Sequence, residues 1–460
     1  MSDPQKSKWG VLSATLFAGF TVVLNNSLMN VALPYFMGFY ALTAVAGQWI
    51  ITAFALGMAL IMPVSTYLAK RFGSKTIFLT GTIIFLFSSL AGSFSWDFAS
   101  MIAFRLVQGI GGGLIMPIAM IMIFQKFPKG ERGFAMGIWG VAVMIAPTIG
   151  PTIGGLLLEF FSWHMLFLMN IPTALISLLL AIKFLQEDAQ KERRQFDWLG
   201  FLFVTGGILG TLIGIDALQT NAGVYVYLLI FSGIVLLGLF VVHELRTSEP
   251  LLDISILKNT VFSASLLILI NSVTAMFSVL LLIPMLIQEV YGQSALYAGL
   301  LLFPQALAMG ISMTIGGRLL DRKGPYPVIM IGVITITVVT FILAFSINTT
   351  SVALLITLLV IHGIANGFIN TPVTTAGLNA LPAEHVSAGS VFNNVARQMM
   401  KVISVVLLSI LYESRRNSHL VTTSDELQSG LVAIQEVYII VAICLAISIP
   451  IVFYLRKDWQ

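Results

Sequence analysis

The chain has 460 residues, 58% of them hydrophobic and only 10% charged, with a mean hydropathy of +0.96. So few charges cannot cover the surface of a water-soluble domain, so the composition excludes that class and predicts an all-α membrane protein. The net charge is +4, and the one cysteine, Cys444, excludes an intrachain disulfide and a cysteine-held metal cluster.

A spanning helix takes about 20 apolar residues, and fourteen runs reach that length. They lie at 10–34, 44–69, 76–95, 98–125, 132–157, 163–183, 198–216, 224–243, 260–287, 296–320, 326–346, 351–380, 386–412 and 432–455. The polar stub "MSDPQKSKWG" runs straight into the first, with no small-residue cleavage site, so that helix is expected to be retained. Six spans fill residues 1–185 and two occupy 186–259 with their flanking loops. Six more fill 260–460. Nothing remains for an extramembrane domain, and no GxxxxGK[ST] loop is present to take ATP.

Lysine and arginine set the expected orientation. With a cytoplasmic N-terminus, 19 of the 24 fall on the cytoplasmic side, Lys191, Arg193, Arg194 and Lys457 among them. Arg415 and Arg416 fall outside, and Arg105, Arg397 and Lys401 fall within spans. This predicts both termini in the cytoplasm. It also accounts for the pI near 9.1 without nucleic acid as a partner.

The chain repeats itself. "TYLAKRFG" (Thr66–Gly73) follows the second span and "GRLLDRKG" (Gly317–Gly324) follows the tenth, 251 residues apart. Two six-helix halves with a pair of helices inserted between them would produce this spacing, and parallel repeats of that kind characterise a large class of secondary transporters. Three other stretches stand out. "APTIGPTIGG" (Ala146–Gly155) joins Pro147 and Pro151, which remove backbone donors, to Gly150, Gly154 and Gly155, which admit a neighbouring helix. "RLVQGIGGG" (Arg105–Gly113) places Arg105 and Gln108 ahead of a glycine run. "LNNSLMNVALP" (Leu24–Pro34) puts Asn25, Asn26, Ser27 and Asn30 into an apolar span without a charge.

On these four stretches the chain resembles the major facilitator superfamily, in its fourteen-helix drug:proton antiporter branch of the EmrB/QacA and lincomycin-resistance type. The resemblance covers essentially the whole chain. "SWHMLFLMNIP" (Ser162–Pro172) and "NNVARQ" (Asn393–Gln398) add weaker echoes. It implies a hinge at Pro147–Gly155, a proton-linked arginine at Arg105, and a gating loop at Lys70–Arg71 and Asp321–Arg322. The loop's usual acid is kept as Asp321, but Lys70 stands in its place in the first copy. The family pattern Leu-Asp-x-Thr-Ile-Val-Asn-Val-Ala-Leu-Pro aligns without gaps on Leu24–Pro34, and its acid, a favoured proton site, is Asn25 here. Asparagine cannot titrate.

Every carboxylate is expected near a span end. The deep ionisable groups are His362, Arg397 and Lys401, with Arg105 shallower. Each costs roughly 2.5–3.5 kcal/mol at a helix centre, so each should face the bundle interior. Asn366 and Asn370 follow His362 at i+4 and i+8, making one polar stripe. The resemblance implies that spans 1, 4, 9 and 12 line a central cavity, which would gather the first-span amides, Arg105, Gln108, Asn271, Ser272 and the stripe. His362 is either a proton carrier or a packed, hydrogen-bonded residue. Lys401 can lose its proton when buried, or it can sit at a helix contact. The expected protein is a monomeric exporter of amphipathic drugs or other lipophilic compounds, exchanged for protons across the bacterial cytoplasmic membrane. It would need no cofactor or metal and would not be an enzyme. The alternative on the same fold is an exporter of a specific endogenous lipid- or peptide-like molecule. A non-transporting receptor or scaffold is disfavoured by the missing extramembrane domain.

Overall fold

A computed structural model describes residues 4–42, 44–186, 195–218, 223–247, 249–293, 295–347, 351–423 and 425–456. Lys191, Arg193, Arg194 and Lys457, counted above among the cytoplasmic charges, lie outside them. The described residues hold fifteen α-helices and no strand. These are α1 (Pro4–Phe39), α2 (Ala44–Phe72), α3 (Ser74–Gly92), α4 (Phe98–Lys126), α5 (Lys129–Phe160), α6 (His164–Leu168), α7 (Asn170–Phe184) and α8 (Trp198–Leu218). After them come α9 (Val224–Glu244), α10 (Thr260–Met285), α11 (Ala295–Lys323), α12 (Pro325–Ser346), α13 (Val352–Asn379), α14 (Val386–Thr423) and α15 (Glu426–Val452). Among the described residues thirteen helices are long and apolar enough to span a membrane, and fourteen once the bent α5 counts as one span. The chain is a multi-pass membrane protein, and the sixth predicted span is the pair α6–α7.

Helix starts follow ordinary capping chemistry. Asp97 accepts from the Ser100 backbone N–H at 2.7 Å, while the Ser100 hydroxyl takes the Asp97 N–H in return. The Ser100 backbone N–H, and then its side chain, hold the Asp97 carboxyl below the usual carboxylate range. This cap is in place at neutral pH and is lost as pH falls through that lowered value. Asn259 caps α10 through Phe262 N at 2.9 Å, and Asp425 caps α15 through Leu427 N at 3.0 Å. The two copies of the repeated loop end alike. Gly73 has φ 95° and Gly324 has φ 83°, and each hands the chain directly to the next helix. A side chain is disfavoured at such a φ, which explains why both copies close on glycine.

The chain divides into two compact units. The first holds Met1–Gly214, Gly223–Ile256 and Pro382–Val395; the second holds Ile215–Ala222, Leu257–Leu381 and Ala396–Gln460. In the first, glycines bring helix backbones together. A Cβ on Gly57 would sit 2.2 Å from Leu106 O and one on Gly109 would sit 2.2 Å from Phe54 O, so α2 and α4 touch main chain to main chain. The basic ends of its helices gather on one side. Lys8 pairs with Glu131 at 2.5 Å, Lys126 donates to Gln186 at 2.6 Å, and the Tyr67 and Phe196 rings meet at 5.1 Å. The second unit packs α11 on α13 in the same way, with a Gly363 Cβ falling 2.3 Å from Gln305 O. Its core includes Leu269, Val279, Leu359, Val437 and Tyr438, all fully buried.

Backbone contact of this kind leaves no room for a methyl group. Gly109→Ala is expected to lower stability by about 1–3 kcal/mol. Gly238→Ala, which meets nothing within 4 Å on α9, should raise it by about 0.5–1 kcal/mol. Thermal unfolding of the detergent-solubilised protein checks both.

Candidate functional site

In the first unit the polar residues of α1 and α4 meet around one buried cation. Arg105, on α4, has no solvent exposure. Its Nε donates to Ile50 O at 2.9 Å, and its Nη1 donates to Asn25 Oδ1 at 2.5 Å and to Gln108 Oε1 at 2.7 Å. The Gln108 amide passes the chain of bonds on to Ser89 Oγ at 2.7 Å. The Phe54 ring lies 4.5 Å from the guanidinium carbon, a cation–π distance. No carboxylate contacts Arg105 among the described residues. The donors are in excess: Arg105 Nη2 and Asn25 Nδ2 are both buried without an acceptor.

The other α1 amides sit differently. Asn26 is half-buried and Asn30 is exposed. Ser27 faces α5, where its Oγ donates to Pro147 O at 3.2 Å and lies 2.3 Å from where a Gly150 Cβ would be. The reason is local. Pro151 has no N–H, so the Pro147 carbonyl loses its helical donor four residues on, and Ser27 supplies one. α5 bends by 43° between Lys129–Pro147 and Thr152–Phe160. Of the motif's other members, Gly154 is in ordinary contact with Leu28, Gly155 has open space beside it, and the Pro151 side chain lies outside those described. Lys70 and Arg71 end α2, with Arg71 donating to the Tyr67 hydroxyl. At the matching end of α11, Asp321 is half-buried and Arg322 exposed.

In the second unit the α13 stripe falls into two hydrogen-bonded parts, His362 with Gln305 and a chain from Asn366 to Arg397. His362 Nδ1 lies 3.1 Å from Gln305 Nε2 on α11. With the Gln305 amide donating, the neutral ring carries its proton on Nε2, and that nitrogen is buried with no partner. Asn366 Oδ1 accepts from Ser272 Oγ at 3.3 Å and from Asn370 Nδ2 at 2.9 Å. Asn370 Oδ1 accepts from Arg397 Nη1, and Arg397 Nη2 donates to Thr374 Oγ1 at 2.7 Å. Asn271 turns the other way and donates to Ser448 Oγ on α15 at 2.8 Å. Neighbouring residues on a helix point about 100° apart, so Asn271 and Ser272 serve different walls. Lys401, one turn beyond Arg397 on α14, is half-buried and makes no hydrogen bond or ion pair among the described residues.

Gln305, Ser89 and the Ile50 carbonyl belong to these clusters although no motif marks them. One acid also escapes the expectation that carboxylates keep to exposed span ends. Glu244 closes α9 but is only 4% exposed. The available signal was its setting, an acid ending an apolar helix with Phe240, not a cation, one turn earlier.

Comparison with known proteins places this arrangement. Residues 15–405 match the family model described as Major Facilitator Superfamily. The chain belongs to that superfamily. It is 31% identical to the uncharacterized MFS-type transporter YhcA of Bacillus subtilis over 90% of this chain and 79% of that protein. It is 27% identical to the lincomycin resistance protein LmrB of Listeria innocua over 97% of this chain and 96% of the other. The solved structure of the proton:xylose symporter XylE covers all of both chains with a TM-score of 0.67 at 14% identity, which establishes the shared fold. A major facilitator chain is a transporter and not an enzyme.

The excess of donors around Arg105 makes a direct prediction. Asn25→Asp replaces a buried orphan donor with an acceptor and pairs the guanidinium with an anion. It should raise stability, whereas Asn25→Leu should lower it by about 1–3 kcal/mol by stranding the Arg105 bond. Thermal unfolding of the two variants against the parent reads the difference.

Proposed function

We propose that this transporter is a proton-coupled exporter of amphipathic drugs or other lipophilic compounds, working by alternating access across the bacterial cytoplasmic membrane. The observation that carries this reading is the pair of buried polar clusters, each built around a cation, inside an otherwise apolar chain, together with the likeness to the lincomycin resistance protein over nearly its whole length. The basic helix ends gathered on one side of the first unit support cytoplasmic termini. The protein would act as a monomer, with the proton gradient as its energy source and no bound cofactor or nucleic-acid partner.

Interior chemistry narrows the substrate. Arg105, Arg397 and Lys401 bring cations to the two units, and no acid pairs with any of them among the described residues. A dication would enter against that charge, while neutral, zwitterionic or anionic amphiphiles would not. His362 and Lys401 are the proton-carrier candidates. For His362 to take a second proton the Gln305 amide must release Nδ1, and Lys401 offers an ammonium without a counter-ion among the described residues.

Flux into proteoliposomes under an imposed pH gradient tests the reading. The parent should drive substrate uphill when the gradient is applied and stop when it is collapsed. His362→Ala or Lys401→Ala should weaken the pH dependence by about 5–150-fold, the range of ordinary coupling free energies. Gradient-independent flux in the parent would contradict proton coupling, and full coupling in both variants would remove both carriers.

A further inference from the structure

The two helices between the six-helix halves, α8 and α9, carry a group of titratable residues that the transport reading does not use. The helices pack antiparallel through small residues. A Gly210 Cβ would fall 3.1 Å from the Gly233 Cα, and a Gly214 Cβ would fall 2.5 Å from Ile230 Cγ1. This brings the start of α8 to the end of α9. Asp197 caps α8, accepting from Gly200 N at 2.9 Å. His243, from the last turn of α9, sets its Nε2 at 2.9 and 3.0 Å from the two Asp197 oxygens, with Thr247 Oγ1 at 3.2 Å. The side chain of Asp197 is only 8% exposed.

Glu244, the next residue, is more buried still and lies within hydrogen-bonding reach of the Asp197 carboxyl. Its Oε2 accepts from Leu252 N at 3.2 Å, while its Oε1 is buried and receives no donor. The position of Gly200 shows where that orphan oxygen points. A Cβ there would lie 2.2 Å from Asp197 Oδ2 and 2.6 Å from Glu244 Oε1, so the two oxygens converge over one glycine. The groups facing Glu244 are few: Asp197 from α8, and the Leu251 and Leu252 backbone N–H groups from the following segment. His243 is engaged with Asp197. Glu249 turns away to Gln195 N at 2.7 Å, and Asp253 turns to His385 at 2.9 Å. No lysine or arginine contacts Glu244 among the described residues.

Two carboxylates in contact cannot both stay ionised without a large cost, and a buried oxygen without a donor is costly in its own right. One proton held between the two groups, as O–H···O, removes both costs. We propose that Asp197 and Glu244 bind a single shared proton, forming a proton site at the joined ends of the inserted helices. When it is released to water, two carboxylates face each other. The end of α9 is then pushed from the start of α8, and the Leu251–Leu252 segment loses its anchor. The next residue of that segment, Asp253, holds His385 just before α14. The inserted pair therefore reads pH on the side where the basic loops gather, independently of whether His362 or Lys401 carries the transported proton.

Infrared difference spectra of the purified full-length protein across a pH series test this without a substrate. Glu244 is buried and the side chain of its partner Asp197 is nearly so, so the carbonyl stretch of a protonated buried carboxyl should be present at neutral pH and vanish in alkali. Glu244→Gln, whose amide can donate to Asp197 as the proton does, should remove the band while the protein stays folded. Thermal unfolding should lose stability as pH rises through the band's disappearance in the parent, and stay level there in Glu244→Gln. Should that variant fail to fold, Asp197→Asn reports instead by moving the pH at which the band vanishes. A parent without the band at neutral pH, a band that persists in Glu244→Gln, or an unmoved band in Asp197→Asn overturns the proposal.

Discussion

Arg105 lies wholly inside the first unit with no acid among the described residues to meet it, and four helices are arranged around that fact. α1 contributes the Asn25 carbonyl oxygen, α2 the Ile50 main-chain oxygen and the Phe54 ring, and α4 Gln108, which α3 holds through Ser89. A buried ion costs several kcal/mol even after the protein relaxes. Hydrogen bonds to a charged group return about 1.5–3 kcal/mol each, so several well-placed neutral oxygens offset the burial. The main-chain approach of α2 to α4 at Gly57 and Gly109 is what puts Ile50 and Phe54 within reach.

The second unit meets the same constraint in the same way. Arg397 is held by Asn370 and Thr374, and Asn370 is held by Asn366, which Ser272 holds in turn. Amides suit this task because each can accept from a cation and donate onward. The relay ties α10, α13 and α14 together, much as Asn25, Gln108 and Ser89 tie α1, α3 and α4. In both places an acid would be the stronger partner for the cation. With no such acid among the described residues, each interior carries a positive charge that only neutral oxygens answer, and Lys401 adds to it.

Hydropathy was enough to read the helices, because a spanning segment must be long, apolar and hydrogen-bonded within itself. The loop repeat was legible down to its last residue, since the φ at Gly73 and Gly324 leaves little choice of side chain. The α13 stripe was legible from spacing alone, because His362, Asn366 and Asn370 are one turn apart. Spacing could not find Gln305 or Ser89, which lie in apolar runs and matter only through a helix that packs against them. Nor could it separate Asn271 from Ser272, whose roles depend on which neighbour each faces. Glu244 was hidden for a related reason: a position at a helix end says where a residue falls along the chain, not whether a partner helix and a following segment close over it.

What unites these features is an interior that answers cations with neutral oxygens and keeps its surplus positive charge. If the protein exports amphiphiles as proposed, that surplus selects them by charge. The most direct measurement is efflux from proteoliposomes of a matched series of amphiphiles that share one tail and differ only in head group: anionic, neutral and doubly cationic. The account predicts export of the neutral and anionic members and weak export of the dication, with Lys401→Ala narrowing the gap. Selective export of the dication, unchanged by Lys401→Ala, would contradict it.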